Sequence, residues 1–285
     1  MDREPIAQTT RVSLKRRVRF AHCFGALAGA IAAWKGRQGR YEWRMFSRCF
    51  MVLLVVAASA LNAAETVQFS GYEWTVKEGH WGPGPNNFDP HNVSVDEQGR
   101  LHLKLTFRDG KWFGAEVIST QRLGFGRYQW QIIGRLDRLD DNVVLGLFNY
   151  PTPDVGADGT NEIDMEFGRW GKPEHLIGNY SVHPPQLKAP AGGHQYPITL
   201  EGDYTTHRFE WTARSVAFQS LHGHREPGDA TAEITRYLFQ PEEPERSIPQ
   251  QPMTIRMNLW LYRGWPPKNG QEVEIVIRSF QFTPA

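Results

Sequence analysis

From Glu65 onward the apolar residues recur at every second position, in short runs set between Gly, Pro, Asn and Asp. Leu101-His102-Leu103-Lys104-Leu105-Thr106-Phe107 alternates without a break. So do Tyr128 to Ile132, the stretch Arg208 to Leu221, and a last strand from Glu272 to Phe282. Alternation with period two is what a half-buried strand requires, because successive side chains leave opposite faces of a sheet. No amphipathic helix of useful length, internal repeat or low-complexity tract interrupts the pattern. Many short strands with turn residues between them predict an all-β domain, a two-sheet sandwich of the jelly-roll kind. Gly79 to Asn92, Pro184 to Pro197 and Glu242 to Pro252 read as long surface loops.

Two alternating runs carry candidate chemistry. In Asn161-Glu162-Ile163-Asp164-Met165-Glu166-Phe167, a strand sends Glu162, Asp164 and Glu166 to one face and the apolar three to the other. Three neighbouring carboxylates repel one another, and solubility alone does not require them. The plain readings are an exposed acidic face or a Ca²⁺ site. The reading that uses all three is cleavage of a glycosidic bond. Cα atoms four residues apart on a strand are separated by about 13 Å. Two glutamates leaning together can then reach the ~5–5.5 Å typical of retaining glycosidases. One would attack the anomeric carbon and the other would protonate the departing oxygen, with the central carboxylate tuning both.

The second run is Met253 to Tyr262. Met253, Ile255, Met257, Leu259 and Leu261 form an apolar face, leaving Thr254, Arg256, Asn258, Trp260 and Tyr262 on the other. Aromatic rings beside Arg and Asn suit sugar binding: a flat ring covers the apolar face of a pyranose while polar groups take its hydroxyls. The alternative is a second core face. Of eight tryptophans in residues 65–285, Trp81 and Trp112 fall in or near the predicted loops, where core filling explains them least.

Charge divides the chain. Residues 1–64 hold 11 Lys and Arg against 3 Asp and Glu, and residues 65–285 hold 21 against 28. An acidic body argues against nucleic acid and suits a neutral polysaccharide. The leader has a secretory shape: Met45-Phe46-Ser47-Arg48, an apolar stretch from Phe50 to Leu61, then small residues through Ala64. Residues 45–64 therefore read as a signal peptide, cleaved near Ala60 to Ala64, and residues 1–44 as an upstream extension. A buried N-terminal helix is the competing reading, and Lys15-Arg16-Arg17 before an apolar segment is a second, weaker signal. Twelve apolar residues fall short of the ~20 of a membrane span. The expected location is secreted or periplasmic, without stable membrane insertion after cleavage. Both cysteines, Cys23 and Cys49, lie in the leader, so a mature domain of residues 65–285 would have no disulfide and no Cys-based metal site.

Glu162-Ile163-Asp164-Met165-Glu166-Phe167 resembles the signature of glycoside hydrolase family 16, with the spacing of its lichenase and xyloglucan-transglycosylase branch. Further segments resemble the family in the same order: Gly114 to Thr120, Gly124 to Tyr128, Gly178-Asn179-Tyr180, Phe209-Glu210-Trp211 and Met257-Asn258-Leu259-Trp260. The resemblance implies a concanavalin A-like jelly roll with a concave substrate cleft. It implies Glu162 as nucleophile, Asp164 as the assisting residue and Glu166 as acid/base. It places Glu116, Asn179, Asn258 and Trp260 in the cleft; Trp81, Arg256 and Tyr262 join them as candidate substrate-binding residues on their position in the sequence. Departures are the Thr160 where lichenases carry tryptophan, the missing disulfide cysteines, and no evident Asp for a structural Ca²⁺ between Glu274 and Phe282.

The expectation is a secreted, endo-acting, retaining β-glycanase of the β-1,3 or mixed β-1,3/1,4-glucans. No cofactor and no catalytic metal are expected, and the protein is expected to act as a monomer. Alternatives are a transglycosylase on the same scaffold, a non-catalytic carbohydrate-binding sandwich, and a metal-dependent hydrolase, the last weakened by the lack of a paired His motif.

Overall fold

The computed structural model describes residues 64–285. The expected signal peptide at 45–64 and the expected extension at 1–44 fall, save Ala64, outside the described residues.

Among the described residues eighteen strands follow one another with little helix between them. The chain opens with β1 (Thr66–Phe69), β2 (Tyr72–Val76), β3 (Gly79–Trp81), β4 (Asn86–Phe88) and β5 (Val93–Val95). Next come β6 (Leu101–Arg108), β7 (Lys111–Phe113), β8 (Ala115–Leu123), β9 (Gly126–Ile133) and β10 (Val143–Tyr150). Then follow β11 (Glu162–Phe167), β12 (Gly178–His183), β13 (Gly192–Tyr196) and β14 (Tyr204–Trp211). The last are β15 (Val216–His222), β16 (Glu233–Phe239), β17 (Met253–Leu261) and β18 (Val273–Pro284). One antiparallel sheet runs β1-β2-β8-β17-β10-β11-β12-β13, the other β16-β15-β14-β9-β18-β6-β5 with β7 on β6. Strands adjacent in space are often far apart in sequence, as a two-sheet sandwich requires.

Period two is realised as burial. Leu101, Leu103 and Leu105 of β6, Ile163, Met165 and Phe167 of β11, and the five apolar residues of β17 all point into the layer between the sheets. There they meet Tyr128 and Trp130 of β9 and Phe209 and Trp211 of β14. Tyr128 stacks on Phe209 at 4.7 Å between ring centroids and donates its hydroxyl to the Gly124 carbonyl at 2.5 Å. Burying several such side chains, each about 1.5–3 kcal/mol, supplies the core without a covalent staple.

Four segments differ from the sequence expectation. Arg208 to Leu221 is not one strand but a hairpin, β14 and β15, turned at Thr212 to Ser215, where the Thr212 amide bonds the Ser215 carbonyl. Pro184 to Pro197 contains the edge strand β13, and Gly79 to Asn92 contains the β3–β4 hairpin. In both, glycine-rich composition hid the strand, since backbone pairing needs no side-chain alternation. Glu242 to Pro252 carries one helical turn at Pro244–Ser247. Trp112 is a core contact, tilted against Phe107 at 5.4 Å.

Candidate active site

The sheet built on β17, β10 and β11 presents its outward face to a cavity of about 600 Å³. Cross-strand register lays out its floor in rows. One row runs Glu116 (β8), Asn258 (β17), Gly146 (β10), Glu166 (β11), Asn179 (β12) and Gln195 (β13). The next holds Arg256, Phe148, Asp164 and Ser181. The third pairs Glu162 with His183. The three acidic residues therefore stand in file along β11, as their alternation requires.

The strand is launched by Asn161, in the left-handed region at φ 51°, which Asn tolerates better than most residues. Thr160, where the resemblance would put tryptophan, is buried and donates to the Ala157 carbonyl at 2.7 Å, closing the turn before β11.

Asp164 is buried, while Glu162 and Glu166 keep partial access to the cavity. Burial pushes all three carboxyls well above the usual carboxylate range. Glu162 and Glu166 each rise to about 8. Asp164 is raised in the same direction, from burial first and the Glu162 charge second. Asn179 and Arg256 act the other way, on Glu166 and Glu162 respectively. Ser181 donates to Asp164 Oδ2 at 2.6 Å. The trio shares protons and titrates as one unit.

A second network braces the floor. Glu116 is wholly buried; its carboxylate takes Lys77 Nζ at 2.7 Å and Arg256 at 3.1 Å, with Asn258 Nδ2 at 3.4 Å. Lys77 also reaches the Gly82 carbonyl at 2.6 Å, tying the β3–β4 hairpin to the floor. Arg256 lies over the Tyr150 ring at 4.2 Å, and the Tyr150 hydroxyl is bonded to Asp158. Its aim depends on an irregular stretch beside the site, where Ile255 of β17 faces Ser119, Thr120 and Gln121 of β8. The Ser119 hydroxyl takes the Ile255 amide at 2.8 Å, satisfying the group the bulge would otherwise strand.

Of the ten candidate site residues, eight line the cavity: Glu162, Asp164, Glu166, Glu116, Asn258, Trp260, Arg256 and Trp81. Asn179 adjoins it as the cross-strand partner of Glu166. Tyr262 does not line it. β17 ends at Leu261, and Tyr262 starts a tight turn, edge-on to Trp170 and Trp265. The outward face of β17 is also less open than alternation suggests: Thr254, Asn258 and Trp260 are buried, with Trp260 packed on Phe88, Val144 and Trp170. Trp81 is 61% exposed on the rim. Residues missed from sequence are Lys77, Gly146, Phe148, Tyr150, Asp158, Ser181 and His183. Phe148 and Tyr150 could have been found, since both share one parity of β10; Lys77 and Asp158 sit outside any alternating run.

Among the described residues, the His and carboxylate groups close enough to share an ion are Glu162, Asp164 and His183, whose ligand atoms lie within 4.8 Å. Burial raises the proton affinity of both carboxyls in this group. Among the described residues no helix is long and apolar enough to cross a membrane.

Solved structures share this fold. A β-glucanase of Bacillus licheniformis superposes with a TM-score of 0.55 at 22% identity, over 79% of this chain and 100% of its own. The chain has the glycoside hydrolase family 16 fold. A laminarinase from Flavobacterium sp. UMI-01 matches at TM-score 0.57 and 14% identity, over 78% of this chain and 96% of its own. A pseudo β-1,3-glucanase of Mycobacterium tuberculosis matches at TM-score 0.56 and 19% identity, over 74% and 91%. No family model and no curated protein matches the sequence.

Proposed function

We propose that the protein is an exported, endo-acting, retaining β-glycanase that cuts a β-1,3 or mixed β-1,3/1,4-glucan. The observation that carries this is the file of Glu162, Asp164 and Glu166 on the cavity floor, with carboxyls whose proton affinity burial has raised. Glu162 attacks the anomeric carbon as the glycosidic C–O bond breaks, and the departing oxygen takes its proton from Glu166. Glu166, now a carboxylate, draws a proton from water. That water displaces Glu162 from the sugar, and two inversions leave the β configuration unchanged.

Each role suits its surroundings. Glu166 needs a proton at neutral pH, and burial keeps one there. Glu162 needs to be ionised when it attacks; Arg256 favours its charge, and Asp164 can hold the shared proton in its place. Trp81 on the rim offers an exposed ring for a sugar face. The β-glucanase and laminarinase names of the structural neighbours support a β-glucan substrate. The pseudo-glucanase among them makes turnover itself the first thing to measure.

The test is NMR of the first-formed anomer during digestion of barley β-glucan and laminarin, with xyloglucan, agarose and carrageenan as controls. Release of the β anomer, abolished in Glu162→Gln, is expected. Initial release of the α anomer would end the retaining assignment. Glycan binding without turnover by the native protein would make it a binding sandwich. Export is tested separately, by N-terminal sequencing of secreted protein, with a first residue between Ala60 and Glu65 expected.

A further inference from the structure

The loop that joins β10 to β11 walls a second cavity, for which the two-step displacement has no use. This cavity holds about 570 Å³, within the range of small-ligand pockets, and adjoins the cleft; the two share Tyr150, Asp158 and Arg256. The loop is pinned along its length. Arg122 clamps Asp154 through two bonds of 2.7 and 2.8 Å, and Thr152 donates to the same carboxylate at 2.7 Å. Nearer β11, the Thr160 hydroxyl closes on the Ala157 carbonyl. The protein alone therefore holds the cavity in shape.

Its place follows from the topology. β10 ends at Tyr150 and β11 begins at Glu162, so the joining loop lies past the Glu162 end of the carboxylate file. In the two-step displacement the two glutamates flank the scissile bond. A glucan backbone threaded between Glu162 and Glu166 crosses β11 and its neighbours; it does not run along the strand. The second cavity lies off that line, on the nucleophile's side. A backbone sugar beside Glu162 reaches it only through a substituent.

The walls select the substituent. Pro153, Val155 and Ala157 offer apolar surface. Asp158 accepts from the Tyr150 hydroxyl through Oδ1, which leaves Oδ2 to accept from a sugar hydroxyl. Asp154 is paired with Arg122 and Arg256 with Glu116, so the charge left to the cavity is the Asp158 carboxylate, which favours a neutral sugar over a sulfated or acidic one. The C6 hydroxymethyl projects furthest from a glucose ring, and a 1,6-linked branch has the reach to pass over the shared rim.

We propose that this cavity is a side pocket for one neutral sugar branched through C6 from the glucan backbone, with Asp158 as its hydroxyl acceptor. The proposal rests on the glycanase reading for the path of the backbone. A surface groove without a ligand would not tell branched glucan from linear.

The test compares a linear β-1,3-glucan hexasaccharide with the same chain carrying one 1,6-linked glucosyl branch. Affinity is read by calorimetric titration of full-length Glu162→Gln, and kcat/KM on the unaltered protein. Ala157→Phe and, separately, Pro153→Phe fill the pocket; both positions are exposed, and a thermal melt confirms that each variant folds. The branched sugar should bind about fivefold more tightly than the linear one, the gain from about one added hydrogen bond. Either substitution should remove that preference while leaving linear affinity within about twofold. The kcat/KM values should follow the same ratio. Equal affinity for the two sugars, a preference for the linear one, or a preference that survives both folded substitutions would overturn the proposal. So would failure of both sugars to bind. If the unaltered protein binds the sugars but cleaves neither, the glycanase reading fails, and the affinity ratio still decides the pocket.

Discussion

Gly146 and Asn258 are cross-strand partners on the cleft floor, and a methyl group on Gly146 would sit 2.5 Å from the Asn258 side-chain oxygen. That oxygen is buried with no hydrogen-bond partner among the described residues, while the other end of the amide faces Glu116 at 3.4 Å. Gly146 is also the partner of Glu166 on its other side. The floor beside the acid is therefore bare backbone, and Asn258 lies across it. Gly146→Ala is expected to displace Asn258, destabilising the fold by about 1–3 kcal/mol through overpacking and lowering kcat/KM by more than the melting shift explains. Thermal melts beside kinetics check this. Unchanged kinetics in a destabilised variant would show that the place of Asn258 beside Glu166 does not matter to turnover.

The proton affinities of the trio make two linked predictions about pH. Glu166 must hold its proton to act as acid, and its pKa is raised to about 8, so turnover should fall as pH rises through that value. Asp164 becomes a negative neighbour as it loses its own proton at high pH, and that charge helps Glu166 keep its proton; Asp164→Asn never acquires it. The alkaline limb should then move to lower pH, as a series of rate profiles would show. Stability follows the same sign. A carboxyl whose pKa is higher folded than unfolded binds more protons when folded. Its contribution is full below the unfolded value and is lost as pH rises toward the folded one. Between about pH 5 and 8 the native fold should lose stability from each such group, at no more than about 1.4 kcal/mol per pH unit. Glu166→Gln cannot ionise, so its melting temperature should gain on the native protein across that window. A constant difference from pH 5 to 8 would contradict the raised value.

Trp81 and Trp260 both line the cavity, but burial separates what their removal should do. Trp81 is 61% exposed, and its indole N–H donates to the Glu78 carbonyl at 2.8 Å, holding the ring out on the rim. Trp81→Ala should leave the melting temperature nearly unchanged and weaken glucan binding by about 1–3 kcal/mol through lost stacking. Trp260 is 7% exposed and packed among Phe88, Val144 and Trp170. Trp260→Ala should cost about 3–5 kcal/mol of stability as well, because it leaves a cavity. Calorimetry of binding and of unfolding distinguishes the two positions.

That contrast marks where sequence reading stops. The alternation of Glu162-Ile163-Asp164-Met165-Glu166-Phe167 was enough to put three carboxylates on one face, because period two is a property of the strand itself. Parity also chose the correct face for Arg256, Asn258 and Trp260. It could not tell an open face from a covered one: β3 and β4 come from far back in the chain, and Phe88 closes over Trp260 from there. Tyr262 shows another limit, since alternation carried on past the residue where the strand ends and a turn redirects the side chain. Lys77 meets its partner Glu116 39 residues away, and no local pattern encodes that contact.

Lys77 is the part of that hidden network with the widest consequence. Its ammonium bridges the buried Glu116 carboxylate and the Gly82 carbonyl of the rim hairpin, and it lies over the Phe88 ring at 4.3 Å. Burial lowers its proton affinity, with the Glu116 charge opposing that shift, so the charge persists because Glu116 is there. Removing one member of a buried pair typically costs about 3–5 kcal/mol, since the other charge is left in a dry site. Arg256 remains at 3.1 Å to take up part of the Glu116 charge, which should bring the cost of Lys77→Met toward the lower end. The hairpin bearing Trp81 would lose its tether to the floor while the carboxylate trio stayed in place. The expected signature is a rise in KM severalfold larger than the fall in kcat. Lys77→Met combined with Glu116→Gln, which removes the stranded charge, should recover stability without recovering KM. If the double variant regained native KM, the tether would have no role in holding the rim, and Lys77 would serve only to neutralise Glu116.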